Sequence, residues 1–473
     1  MLVQTLQRVR RSSLSILLGL GFLSSCVHAS GTWTQMGSAV DGNIANAQLG
    51  FYVALSYNGT RMAIGMPKVG KGDVGVYDFI DGEWELMPPP AGLSSTLTIP
   101  GTNSGDEFGK QLSISADGTR LAIAGPNHDG NFANSGHVQV YDYSGGSWSK
   151  LGGDIEGQAA NDRLEKVSLS ADGTRVAVGT IWNSNKRGNT RVFEYSYDTS
   201  DWILMDSDEN RLAGEAENDF SAGHVALSSD GTRVAISSYT ANVDKSGHVR
   251  VFEYDESESV PRWRRMGTDI DGEAASAKLG EHSVAISADG TRLIAGAFAY
   301  TSESKVERGR ARVYEFLNGD WQPLGSPFDG EARDWLGRYG VSISADGTRV
   351  AISSIKSDVA GTDAGLLRLY EYNETVSDWV QMDPDIYGLS AQDKFGNWAS
   401  LSGDGYCVAA GARQKTINSK SLAGQVRAFQ FPRPPPAPVP PAPEPPAPLP
   451  PCTCCEKMAI DYGFTTSRAC APQ

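Results

Sequence analysis

Few side chains in this sequence are placed to do chemistry. Six histidines occur among 473 residues. His224 and His282 each open a short apolar alternation, whereas His137 and His248 both open Val-x-Val-aromatic segments and so belong to a repeated pattern. None of them lies in a His-Glu-x-x-His helix motif, and Gly-x-Ser-x-Gly, Walker and dinucleotide-binding glycine patterns are absent. No pair of carboxylates stands out for acid–base work on a glycosidic bond. The chain therefore reads as not an enzyme, with no cofactor and no metal ligands.

A second set of residues is more suggestive because it varies where its surroundings do not. The pairs Phe51-Tyr52, Lys110-Gln111, Glu165-Lys166, Gly223-His224, His282-Ser283, Tyr339-Gly340 and Asn397-Trp398 precede seven similar strand-like segments. Aromatic planes mixed with charges and amides suit a glycan or a protein ligand. Tyr52, Gln111, Lys166, His224, His282, Tyr339 and Trp398 are accordingly the candidate ligand-binding residues.

The elements that position them come from an internal repeat. A turn of the type Ser-Ala-Asp-Gly-Thr-Arg recurs with its glycine at 59, 118, 173, 231, 290, 347 and 405, spaced 55 to 59 residues apart. Each copy predicts four strands. A short alternating strand (Leu112-Ser113-Ile114-Ser115) leads into the Asp-Gly turn, whose residues tolerate positive φ. An apolar strand (Val176-Ala177-Val178-Gly179) follows, then one of the form Val138-Gln139-Val140-Tyr141-Asp142-Tyr143, then one with a tryptophan. Apolar residues on both strand faces fit a sheet packed between two neighbours, as in a β-propeller. Trp84, Trp148, Trp202, Trp263, Trp321 and Trp379 serve six copies; the seventh lacks one, and Trp33 lies at the other end of the chain. The expected fold is all-β, a seven-bladed propeller of four-stranded blades over 30–431, closed by its N-terminal strand. The turn arginines Arg120, Arg175, Arg233, Arg292 and Arg349 recur once per copy, which marks them as structural.

Before the first strands stand Asp106-Glu107-Phe108-Gly109 and Asp393-Lys394-Phe395-Gly396, and more loosely Leu49-Gly50, Leu279-Gly280 and Leu336-Gly337. After the second strands come Gly65-Met66-Pro67, Ala124-Gly125-Pro126, Gly296-Ala297 and Gly411-Ala412. With the sevenfold period these resemble the FG-GAP repeat of integrin α-subunit propellers. The resemblance implies an extracellular propeller used in adhesion or ligand binding. That family's calcium loop needs several oxygen ligands on one tight turn. The second copy offers Ser113, Ser115, Asp117 and Leu121, and the others likewise supply one carboxylate or amide each. Calcium binding is expected to be lost in all seven.

Outside the repeats, 1–29 has a basic start (Arg8, Arg10, Arg11), an apolar run from Leu14 to Leu23 and a cleavage site at Val27-His28-Ala29, the form of a secretory signal. Leu23-Ser24-Ser25-Cys26 also has the form of a bacterial lipoprotein box, which would leave a lipid on Cys26. The net charge of −15 argues against nucleic acid and anionic membranes as partners, and no span of the membrane is expected. Asn58-Gly59-Thr60 and Asn373-Glu374-Thr375 are glycosylation sequons. Residues 432–451 are nearly all proline and alanine, a polyproline stalk of about 60 Å. In the tail (452–473), Cys452, Cys454, Cys455 and Cys470 predict two local disulfides or crosslinks to other chains. The expected function is a secreted or cell-wall binding or adhesion protein. The alternatives are a structural matrix component without a specific ligand and, less favoured, a polysaccharide-active enzyme.

Overall fold

A computed structural model describes residues 31–88, 98–207, 212–257, 259–302 and 304–434. The signal sequence, the Cys-rich tail and all of the proline stalk beyond Pro434 lie outside these residues. The chain is all-β and forms seven antiparallel blades arranged as a propeller. Blade 2 is typical: Gln111–Ile114 lies innermost, followed outward by Arg120–Gly125, His137–Ser144 and Ser147–Lys150. The single helical turn among the described residues, Asn183–Lys186, connects two strands of blade 3.

The N-terminal strand closes the ring. Thr34–Gln35 pairs antiparallel with Gln425–Gln430 as the outer strand of blade 7, whose inner strands are Ala399–Leu401 and Cys407–Gly411. Trp33 meets Phe431 with ring centroids 5.2 Å apart. The other six blades repeat this pair at 5.1–5.3 Å, from Phe79–Trp84 to Tyr372–Trp379. Trp33 thus occupies the place of a fourth-strand tryptophan.

The Asp-Gly turn is both a hairpin and a junction. In blade 2 the Ser115 hydroxyl donates to Asp117 (2.6 Å) and accepts from the Arg120 amide (2.8 Å), while Asp117 also accepts from the Thr119 amide (2.9 Å). The turn carboxylate is thereby committed to its own loop. Arg120 then ion-pairs with Asp142 on its own blade and donates to the Gly173 carbonyl of the next blade's turn (3.2 Å). Gly173, at φ +67°, leaves room for it: a Cβ there would stand 2.6 Å from Arg120 Cδ. The expectation that these arginines are structural is met. Blade 7 carries Cys407 instead, and Arg433 supplies the missing guanidinium, donating to Asn58 O (3.1 Å) and pairing with Asp404 (2.6 Å).

Backbone bonds between successive turns run right round the ring. Tyr57, Ala116, Ala171, Ser229, Ala288 and Ala345 each donate their amide to the turn of the next blade, and Asp404 N closes the circle on Tyr57 O, at 2.7–2.9 Å throughout.

Two details depart from the sequence reading. The outer strand is broken in six blades, where a two-residue segment such as Ile155–Glu156 returns to pair with the start of the third strand. Of the sequons, Asn58 is exposed in its turn, but Asn373 is half-buried at the end of the strand Leu366–Asn373.

Trp33→Ala should lower stability by about 2–3 kcal/mol, short of the ~3–5 kcal/mol for a fully buried tryptophan. Removing residues 31–37 should cost more, because it exposes the edge of blade 7. Urea denaturation followed by tryptophan fluorescence measures both, and an unchanged midpoint would mean that blade 7 does not rely on the N-terminal strand.

Candidate functional site

The seven predicted residues converge on the propeller axis. Inner strands carry them because each blade points its first strand at the centre, and the loop before that strand sets the residue at its mouth. Tyr52 of blade 1 stacks on Trp398 of blade 7 at 3.9 Å between ring centroids. Gln111 donates its amide to the Tyr52 hydroxyl (3.3 Å) and lies 3.4 Å from His224 Nε2, two blades away. The His224 ring is 5.6 Å from that of Trp398. On the other side Lys166 Nζ lies 3.2 Å from His282 Nδ1, and the His282 ring stacks on Tyr339 at 5.2 Å. His282 holds φ +61°, a left-handed conformation sparsely used by side-chain-bearing residues.

The seven residues do not leave the axis open: they reach across it and close it. Tyr52, Gln111, Lys166 and His224 are buried, while His282, Tyr339 and Trp398 are half-buried. Behind them the channel continues as a cavity of about 230 Å³ along the inner strands, lined by apolar side chains such as Val53, Leu112 and Val284 and by the small residues Ser113, Ser168, Ser342 and Ser400. Those serine hydroxyls accept the amides of Leu169, Leu227, Leu401 and Leu55 of the next blades (3.0–3.1 Å).

The electrostatics of the plug follow from burial. Glu165 pairs with Lys166 (2.6 Å) and with Lys110 (3.4 Å), which also pairs with Glu107, which in turn pairs with Lys68. Burial alone would raise the Glu165 carboxyl, but Lys166, Lys110 and His282 together hold it well below the usual range. His224 is pushed down to about 3, first by burial and then by the charge of Lys166. Burial, and again Lys166, push His282 well below the ordinary histidine value. Both imidazoles are neutral at physiological pH.

Around the plug, on the loops of blades 1, 5, 6 and 7 and the start of the blade 6 strand Leu336–Ile343, lies a patch that the sequence reading did not single out. Arg338 stacks over Phe298 (4.5 Å), Trp335 (4.4 Å) and Tyr339 (4.9 Å), and Lys356 lies over Trp335 (3.4 Å). Arg413 lies over Phe51 (5.0 Å) and Tyr339 (5.9 Å). Arg338 reaches Glu281 (3.3 Å), but Arg413, Lys356 and Lys394 form no ion pair among the described residues, and Arg413 Nε is buried without a hydrogen-bond partner. Burial and then the charge of Arg338 lower the Arg413 pKa; burial first, and then Arg413, Lys356 and Arg338, lower that of Lys394 against the opposing charge of Asp363. Phe51 and Arg338 adjoin predicted residues in sequence; Arg413 directly follows the Gly411-Ala412 motif. No local pattern marked them as one patch.

No protein-family model matches the chain, and no match was found among curated proteins. Solved structures of similar shape include two described as candidate 6-phosphogluconolactonases. One is from Bacteroides uniformis (15% identity, TM-score 0.48, 72% of this chain and 85% of that one). The other is from Bacteroides fragilis (13%, 0.48, 77% and 98%). The hydrazine synthase of Kuenenia stuttgartiensis is a third (13%, TM-score 0.47, 80% and 95%). At these identities the likeness concerns the fold alone. The reading of the chain as not an enzyme is nevertheless corrected: it rested on missing sequence motifs, which do not exclude catalysis on any fold, and two of these chains bear an enzyme's name.

The buried neutral histidines make stability depend on pH. Their pKa values are lowered on folding, so their contribution is complete above the unfolded value of about 6.5 and is lost as pH falls below it. Each adds a slope of about 1.4 kcal/mol per pH unit until its folded pKa is reached. Denaturation between pH 7 and 5 should therefore show a shallower loss of stability in the double variant His224→Gln/His282→Asn than in the parent. Equal slopes would refute neutral burial.

Proposed function

We propose that the chain is a secreted recognition head whose plugged propeller face binds an acidic glycan. The carrying observation is Arg413, a half-buried guanidinium without a carboxylate partner among the described residues, set against Phe51 and Tyr339 beside Arg338, Lys356 and Lys394. In a chain of net charge −15, cations left unpaired at one place are available to an outside anion. Aromatic faces suit sugar rings, while guanidinium groups bind carboxylate or sulfate in a bidentate fork. The sevenfold turn, the resemblance to FG-GAP propellers and the N-terminal signal support the extracellular setting. Among the described residues no helix is long and apolar enough to cross a membrane.

The test is a glycan array comparing uronic-acid and sulfated oligosaccharides with neutral ones, followed by calorimetry on the best ligand. Arg413→Ala should weaken binding about tenfold, equivalent to ~1.4 kcal/mol, and raised salt should weaken the parent in the same direction. Preference for neutral sugars, or affinity indifferent to Arg413→Ala and to salt, would overturn the proposal. Selective binding of acidic peptides instead would replace the glycan by a protein ligand.

A further inference from the structure

Blade 2 carries, away from the axis, a group of side chains that the axial face does not use. His128 Nδ1 lies 2.9 Å from Asp106 Oδ2, and the His128 and His137 rings stack 3.8 Å apart at 17°. His137 is fully buried; its Nε2 has no hydrogen-bond partner, while its Nδ1 lies 3.4 Å from Asp154 Oδ2. Ligand atoms of Asp106, His128 and His137 lie within 4.8 Å of one another, as do those of His128, Asp154 and Glu156. Asp154 and Glu156 also line an open cleft of about 720 Å³.

We propose that this group is a binding site for a zinc-class divalent ion, held by His128, His137 and Asp106, the two rings turning from their parallel stack so that each presents a ring nitrogen to the ion in its own plane. Two imidazoles with a carboxylate are the donor set of a borderline transition ion and not of calcium or magnesium, which take oxygen ligands. Burying an imidazole whose Nε2 has no partner is unfavourable, and ligation by a metal through that nitrogen satisfies it. Gly125 leaves space for the ring: a Cβ there would lie 2.9 Å from His137 Nε2.

The other blades show what the same positions do without an ion. In blade 3, Asn183 stands where His128 does and faces Asp162 at 3.4 Å. In blade 7, Lys415 stands there and pairs with Asp393 (2.7 Å). Blade 4 repeats the second histidine as His248, with Asp269 in the place of Asp154. It has Ala241 at the His128 position, and Arg265 already neutralises Asp269. Only blade 2 combines both imidazoles. Its Asp154, on the cleft side, is already held by Lys150 and Gln139 and lies outside the triad.

The test uses the full-length protein stripped with chelator and titrated with cobalt(II), followed by visible absorption, and with zinc(II), followed by calorimetry. The expected result is about one equivalent bound with d–d bands of a nitrogen–oxygen site, and a loss of affinity of at least about 10–100-fold in His137→Gln and His128→Asn, the range for removing a ligand's outer-shell partner and so a lower bound for a ligand itself. His128→Asn installs the residue that blade 3 uses, so the loop should keep its fold; an unchanged metal-free melting temperature confirms this. Failure of the parent to bind either ion overturns the proposal. So does affinity unchanged in both variants, or absorption from thiolate ligands alone, which would place the ion on the tail cysteines.

Discussion

Every blade of this protein is held by what it does to the next one. The turn between the first two strands donates a backbone amide to the neighbouring turn, and the arginine that follows it reaches a carbonyl of that same turn. A blade alone has two apolar faces and cannot bury either; stacking buries both, and the turns register one blade against another. The junction is therefore the repeated unit as much as the blade is. Its one defect, Cys407 in place of arginine, lies where the two chain ends meet, and Arg433 repairs it from outside the last strand.

With the junction fixed seven times over, the mouth of each inner strand is free to differ. The seven residues found there are unlike one another, and the geometry forces them together on one axis. Placing charges in so small a volume works only if they pair, which is why Glu165, Lys166 and Lys110 form a continuous chain while His224 and His282 remain neutral. The plug thus makes a rigid floor, and the groups that remain unpaired, Arg413, Lys356 and Lys394, lie beside it on the loops. Groups set around a floor of this kind are held in place by the ring itself.

Variation also enters at the blade periphery. The carboxylate at Asp106, Asp162, Asp219, Asp334 and Asp393 caps the same loop each time by accepting backbone amides. What faces that carboxylate changes from blade to blade: histidine in blade 2, asparagine in blade 3, lysine in blade 7. A structural cap thereby becomes a place where one substitution per blade changes the local chemistry.

The blade count, the closing role of Trp33 and the seven residues at the axis could all be read from the sequence, because each rests on a period or on a break in it. A repeated turn announces a blade, and a tryptophan missing at one end is found at the other. The broken outer strands could not be read, since a two-residue pairing leaves no periodic trace. Nor could Arg433 be read as the seventh arginine, because it lies beyond the last strand and reaches its partners only when the ring closes. The same holds for the patch around Arg413 and for the stacking of His128 on His137. Their members come from separate loops, and whether a cation finds a carboxylate or an imidazole finds a partner is decided by distance in space. The sequence by itself determined a ring of seven like blades and where they must differ; the tertiary structure alone decided which of those differences meet, which cancel and which are left unpaired.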